Sequence, residues 1–380
     1  NASLTMDGRT SLYSTIDQLV IKSQATNQTI EHIRNYNRMM ASILPSQNDL
    51  DDGLTHYNEG VLQTLNSKAT KLGLVDKGIH NADRILSFSL PLHCGLFNGT
   101  GPIPLSRNWG VGGLLVEVHL SPDSNVLFNA LGGASTEIAN AFYEYQNLSL
   151  VAEVQTPDPS DLAKLQKSGG GGGTFEYNSI SSYYSTINAT NGILNYSLGL
   201  SRVKSVFMNF IQSSYLQNLA QNSLQTIMPI IKGSGGTSGA IADIEQIVFT
   251  RGGVRFPEDY NLDTNYKEDS NVSVVDPQVV RNFQDAIAPF SDMNRNVMSP
   301  VVANRNWSSN DNEVLDGGLV YGVGMNYDNL GGDGVDFSRT NWGVQIVSKL
   351  TDDNPISVFV FVHAKQTLLF SEGQGIQVIN

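Results

Sequence analysis

The sequence predicts a mainly all-β chain: two β-sandwiches in tandem, with a few helices in the connecting loops. Three observations predict it. Apolar runs of strand length recur between clusters of Gly, Pro, Asn and Asp, the pattern of strands joined by turns. Two short strings recur in the same order along the chain, the mark of a copied unit. A Pro- and Gly-rich stretch lies between the copies, where a connector belongs.

The strands come first. Leu114–Leu120, Leu148–Val154, Leu319–Met325, Ile356–Val362 and Gly375–Ile379 are rich in β-branched and large apolar residues. Pro355 marks the start of its run, because proline cannot donate within a ladder. Three helices are expected. The spacing of Ile33, Tyr36, Met40, Ile43 and Leu44 predicts one over Glu31–Leu44, stopped by Pro45. Phe207, Phe210, Leu216, Leu219, Leu224 and Ile227 predict a second over Val206–Ile227, before Pro229. Asp276-Pro277, an N-cap followed by proline at the first helical position, opens a third toward Ala288.

The repeat sets the domain boundaries. Ser11–Ile16 reappears as Ser182–Ile187, which aligns Tyr13 with Tyr184 at an offset of 171. Ser106-Arg107-Asn108-Trp109-Gly110-Val111 reappears as Ser338-Arg339-Thr340-Asn341-Trp342-Gly343-Val344, which aligns Trp109 with Trp342 at an offset of 233. The expected division is a first unit over 1–155, a linker over 156–173 and a second unit over 174–380. The two offsets differ by 62, so the second unit carries 62 extra residues, placed between about 188 and 338. The linker ends in five glycines, Gly169–Gly173. A phosphate loop there would need Lys-Ser/Thr and a helix to follow, whereas Thr174-Phe175-Glu176-Tyr177 reads as a strand. Eight-stranded double-sheet sandwiches of this kind are jelly rolls, found in viral capsids, lectins and cupins.

Composition narrows the function. Hydrophobic residues are 40% of the 380 and charged ones 16%, enough apolar material for a large core. The net charge of −13 disfavours a chain whose task is gripping phosphate backbones, so no direct sequence-specific nucleic-acid binding is expected. The single cysteine, Cys94, excludes an internal disulfide framework. No apolar run reaches the length of a membrane helix. No leader is visible at Asn1. Eight Asn-x-Ser/Thr sequons, at Asn1, Asn27, Asn98, Asn147, Asn188, Asn195, Asn271 and Asn306, barely exceed what chance supplies in so Asn-, Ser- and Thr-rich a chain.

Chemistry is scarce. The histidines His32, His56, His80, His93, His119 and His363 show neither the i,i+4 nor the His-x-His spacing of a metal site. Adjacent His93 and Cys94 point to opposite sides of an extended chain. No Gly-x-Ser-x-Gly elbow occurs, and the acidic pairs Asp51/Asp52 and Asp352/Asp353 flank turns. These features argue against an enzyme and give no cofactor. One metal candidate remains, the loop 328–336, where Asp328, Asp333 and Asp336 with flexible glycines could wrap a calcium ion; a plain glycine-rich hairpin loop is the alternative.

Two stretches carry a resemblance. Ser11–Ile21 with Ile30–Asn37, and Gly322–Asn326 through Val358–Phe370, resemble the ends of double jelly-roll major capsid proteins of tailless icosahedral DNA viruses, the lineage of adenovirus hexons. The chain is most similar to the virophage and polinton-like members. That resemblance implies a homotrimer in which six similar sandwiches fill a hexagonal position, located in the virion shell and assembled in the infected cell. It implies neighbouring capsomers, penton and minor capsid proteins as partners, and leaves open a membrane beneath the shell. It also implies a strand ahead of Ser3, and tower-forming loops drawn from the inserted residues. It carries no site residues across, because the family's function is assembly. Two alternatives stand beside it. One is a secreted double-sandwich protein that binds or processes carbohydrate, favoured by the sequons and by Tyr183, Tyr184 and Trp307. The other is a minor vertex protein of the same virus type, which the duplication disfavours.

Overall fold

The computed structural model describes residues 4–7, 10–47, 89–97, 102–105, 111–129, 142–156, 158–160, 172–188, 191–220, 222–224, 228–229, 244–258, 262–263, 277–290, 301–302, 319–320, 322–328, 333–348, 355–371 and 375–380. The first half holds strands β1 (Leu4–Met6), β2 (Ile16–Ser23), β3 (Thr29–Arg34), β4 (Leu114–Leu120) and β5 (Leu127–Asn129), with helices α1 (Tyr36–Gln47) and α2 (Asp123–Val126). The second holds β6 (Gly172–Ile187), β7 (Asn191–Tyr196), β8 (Val203–Gln212), β9 (Met228–Pro229), β10 (Ile244–Arg251), β11 (Val254–Arg255), β12 (Leu262–Asp263), helix α3 (Pro277–Ile287), β13 (Val301–Val302), β14 (Leu319–Val320), β15 (Val323–Asn326), β16 (Trp342–Ser348), β17 (Ile356–Ser371) and β18 (Gly375–Ile379).

The second half is a jelly roll. One sheet runs β6–β17–β8–β15 and the other β7–β16–β10–β12, every pairing antiparallel. Numbered by order along the chain, these eight strands stack as 1-8-3-6 and 2-7-4-5, a double-sheet jelly roll. Five of the eight lie within 188–338, so the roll's own body runs through the span expected to hold the extra residues. β17 is the spine. Its 16 residues pair along one edge with all of β6, and along the other with β8 and then β18. Between the sheets, Trp342 is fully buried, donates from Nε1 to the Tyr327 hydroxyl at 2.9 Å, and stacks on Tyr196. Tyr183 of β6 meets Tyr196 of β7 at 5.3 Å and so ties the two sheets together.

The β17 sheet is covered on its other face too. Phe207 packs there against Phe290, beyond the end of α3, at 4.9 Å and stacks on Phe361 at 5.0 Å. Arg38 of α1 lies over the Phe359 ring at 5.3 Å. A strand buried on both sides has no polar face, which is why Val358–Val362 reads as an unbroken apolar run. One hydrophobic core therefore spans both halves, from Tyr13, Leu19 and Ile33 to Trp342 and Val360. In the first half the described residues form the sheet β3–β2–β4 and the pair β1–β5.

Several expectations change. The described part of Val206–Ile227 is not a helix: it begins inside β8 and continues through a short 3₁₀ turn, Ser213–Tyr215. Val206, Phe207, Met208, Phe210 and Ile211 are all buried, and a run buried on both faces carries no periodicity to separate strand from helix. Glu31–Leu44 is two elements. Glu31 to Arg34 belong to β3, Asn35 turns the chain at φ 53°, and α1 then runs past Pro45 to Gln47. Leu148–Val154 forms no strand and is exposed. The last two glycines assigned to the linker, Gly172 and Gly173, start β6 opposite Ser371 and Phe370. The third helix begins at Pro277, as the Asp-Pro signal requires.

Candidate functional site

The best-built polar feature joins the two halves. Glu31 sits on β3 with Ile33 on the side facing the second half, and its carboxylate is buried. Oε1 accepts from the Ile180 amide of β6 at 2.7 Å and the Gly95 amide at 3.0 Å, and Oε2 accepts from the Leu96 amide at 3.0 Å. One side chain thus satisfies three buried N–H groups on two separate segments. Burial pushes Glu31 up to about 7, against the opposing pull of its three backbone donors and the Cys94 thiol. The same burial pushes the Cys94 thiol well up, which makes it inert rather than nucleophilic. Gly95 has no room for a side chain: a Cβ there would lie 2.5 Å from the Asn178 carbonyl oxygen.

Other bonds cross the same junction. The Arg34 amide donates to Ser182 Oγ at 2.7 Å. Asn209 Nδ2 donates to the Arg38 carbonyl at 2.8 Å and Ser42 Oγ at 2.7 Å. The Tyr177 hydroxyl lies 2.9 Å from the Ile30 carbonyl and from Gln366 Oε1. Sequence reasoning missed this seam. Its one local signal was an acid, Glu31, on the same strand face as Ile33.

The calcium candidates meet a cation. Lys204 Nζ lies 2.6 Å from Asp328 Oδ1 and 3.4 Å from Asp333 Oδ1. Asp336 turns instead to Ser338, accepting from its amide at 2.7 Å; the Ser338 hydroxyl first, and then this amide, hold its carboxyl below the usual range. Lys365 and Arg202 extend the network to Glu176 at 2.7 and 2.9 Å and hold that carboxyl down as well. Among the described residues no group of three or more His, Cys, Asp or Glu side chains could hold a metal ion.

The remaining singled-out residues are scattered. Tyr13 is buried in the 3₁₀ turn Ser11–Thr15 and donates to the Pro91 carbonyl at 3.0 Å. Tyr184 is half exposed near the end of β6, beside Ser357. The shared string around them therefore takes two conformations. Trp109 lies outside the described residues, as do His56 and His80. His363 is buried on β17 against Phe290, with no hydrogen-bond partner at either ring nitrogen, and burial lowers it to about 4. His93 is buried against the Tyr13 ring. His32 contacts Gln18 and His119 lies near Glu117 on the outer face of the first-half sheet.

A buried seam and a jelly roll covered on its outer face define a β-sandwich protein whose two halves share one core. No protein-family model matches the chain, and neither does any curated protein sequence. Solved structures do. The major capsid protein of Faustovirus aligns at TM-score 0.51 and 9% identity, over 98% of this chain and 74% of that one. PBCV-1 VP54, fitted into a reconstruction of the virophage Sputnik, gives 0.45 and 11%, over 100% and 90%. The Sputnik virophage structure solved by cryo-EM gives 0.43 and 12%, over 100% and 76%. The chain has the fold of viral major capsid proteins.

Proposed function

We propose that this chain is a major capsid protein, which self-assembles as homotrimers with a sixfold outline into the icosahedral shell of a DNA virus. Residues 1–155 and 174–380 serve as the two sandwiches each chain contributes. The observation that carries the proposal is the second-half jelly roll, laid against the first half across one continuous core, in a chain that shares its fold with the Faustovirus protein. A fused, buried seam fixes the angle between the two sandwiches, which a rigid tile needs. The inert Cys94 and the lysine-neutralised Asp328 and Asp333 fit a structural role rather than a catalytic one. Neighbouring capsomers, penton and minor capsid proteins are the proposed partners, with the virion as the site of action. Light scattering on the purified chain tests the proposal. A species of about 124 kDa, three times 41.3 kDa, supports it. A 41.3 kDa species alone at micromolar concentration overturns it.

A further inference from the structure

We propose that residues 147–156 form an arm that pairs, as a β-strand, with a second copy of this chain; the partner's identity rests on the capsid reading above, while the arm itself rests on geometry. The root of the arm is fixed. The Tyr143 amide donates to Asp123 Oδ1 at 3.2 Å, its hydroxyl donates to the Ser121 carbonyl, and the Tyr145 hydroxyl bonds Thr15 Oγ1. Asn147, at φ 56°, then turns the chain off the body. Every residue from 147 to 156 is exposed, and none makes a backbone–backbone hydrogen bond with another described residue.

The sequence of this stretch suits a strand. Leu148-Ser149-Leu150-Val151-Ala152-Glu153-Val154 has no glycine or proline and is dominated by apolar and β-branched residues. Such a segment with free N–H and C=O groups is a ready donor for another sheet. Its apolar load is large. Phe142 is 70% exposed, Leu148 66%, Leu150 62%, Val151 92% and Val154 71%. Together they expose on the order of 600 Å², the size of the largest apolar patch on a typical monomer. Each arm-to-edge contact would bury roughly 600 Å² from the arm and a similar area from its acceptor, about 1,200 Å² in all, the lower bound of a specific interface.

The same chain offers acceptors. Among the described residues β4 and β7 each pair along one edge only, β4 beside half-exposed Leu115 and Leu120, β7 beside exposed Ile193. Giving at one surface and receiving at another is a head-to-tail contact, the kind that builds a ring when the rotation between copies closes. The stretch 142–156 carries Glu144 and Glu153 and no cation, which disfavours nucleic acid or an anionic membrane as its partner.

The test uses the full chain. Leu148→Asp with Val151→Asp places a charge on each face of the arm at exposed positions, so the melting temperature of the folded body should stay within a few degrees. Light scattering is expected to show multimers for the wild type and a shift of at least 100-fold in the dissociation constant for the double variant. In parallel, Val151→Cys is mixed with Leu115→Cys or Ile193→Cys and treated with a bis-maleimide; buried Cys94 is protected. A cross-link between chains supports the arm and names its acceptor edge. A wild-type multimer that survives the double substitution, without cross-links, overturns the arm and leaves the capsid proposal standing. A monomeric wild type overturns both.

Discussion

Glu31 and His363 make opposite demands on pH, and removing one exposes the other. The folded state raises Glu31 from 4.5 to about 7. Folding then takes up a proton, so this group's contribution is fully present below 4.5 and is lost as pH rises through 7. The shift corresponds to about 3 kcal/mol over that window. The folded state lowers His363 from 6.5 to about 4. Its contribution is present above 6.5 and is lost as pH falls through 4, again by about 3 kcal/mol. Between pH 6.5 and 4.5 the two nearly cancel. His363→Leu removes a ring whose nitrogens have no partners and keeps an apolar neighbour for Phe290. It is expected to leave stability at pH 8 within about 1 kcal/mol and to raise it by about 2 kcal/mol at pH 5. Glu31→Gln sets an amide against three N–H donors and is expected to cost about 2–4 kcal/mol at pH 8. It should also lose stability on acidification, because His363 then acts unopposed. Urea unfolding of all three proteins at pH 5, 6.5 and 8 measures this. Parallel pH profiles for wild type and both variants would refute the assignment of opposing buried groups.

Three further outcomes are expected. Gly95→Ala forces a Cβ against the Asn178 carbonyl and should lower stability by about 2–4 kcal/mol, with faster hydrogen exchange at the Ile180 amide; unchanged exchange would show that the seam is not tight there. Trp342→Phe strands the buried Tyr327 hydroxyl and leaves a gap beside Tyr196, a loss of about 2–4 kcal/mol by thermal or urea unfolding. Millimolar calcium and excess chelator should give the same melting temperature, because Lys204 already holds Asp328 and Asp333; a calcium-dependent rise would restore the loop 328–336 as a metal site.

The sequence was legible where local signals suffice. β4 spans Leu114–Leu120 and β18 spans Gly375–Ile379, as their apolar runs bounded by turn residues predict, and α3 begins at its Pro277 signal. It was misread where tertiary burial erases periodicity, as in β8, or where one left-handed residue, Asn35, splits a pattern that helix spacing alone would continue. The seam was invisible for another reason. Glu31 finds its donors at Gly95, Leu96 and Ile180, and Asp328 finds its cation at Lys204, all far away along the chain. No spacing rule encodes such partners. The exposed run Leu148–Val154 carries the composition of a strand, yet no partner strand for it lies among the described residues.

Negative-stain imaging of the purified protein tests the assembly claim most directly. Class averages with threefold symmetry and a hexagonal outline, alone or tiled into shells, are the expected result. Compact single-chain particles at concentrations where shell proteins assemble, with no threefold class, would contradict it.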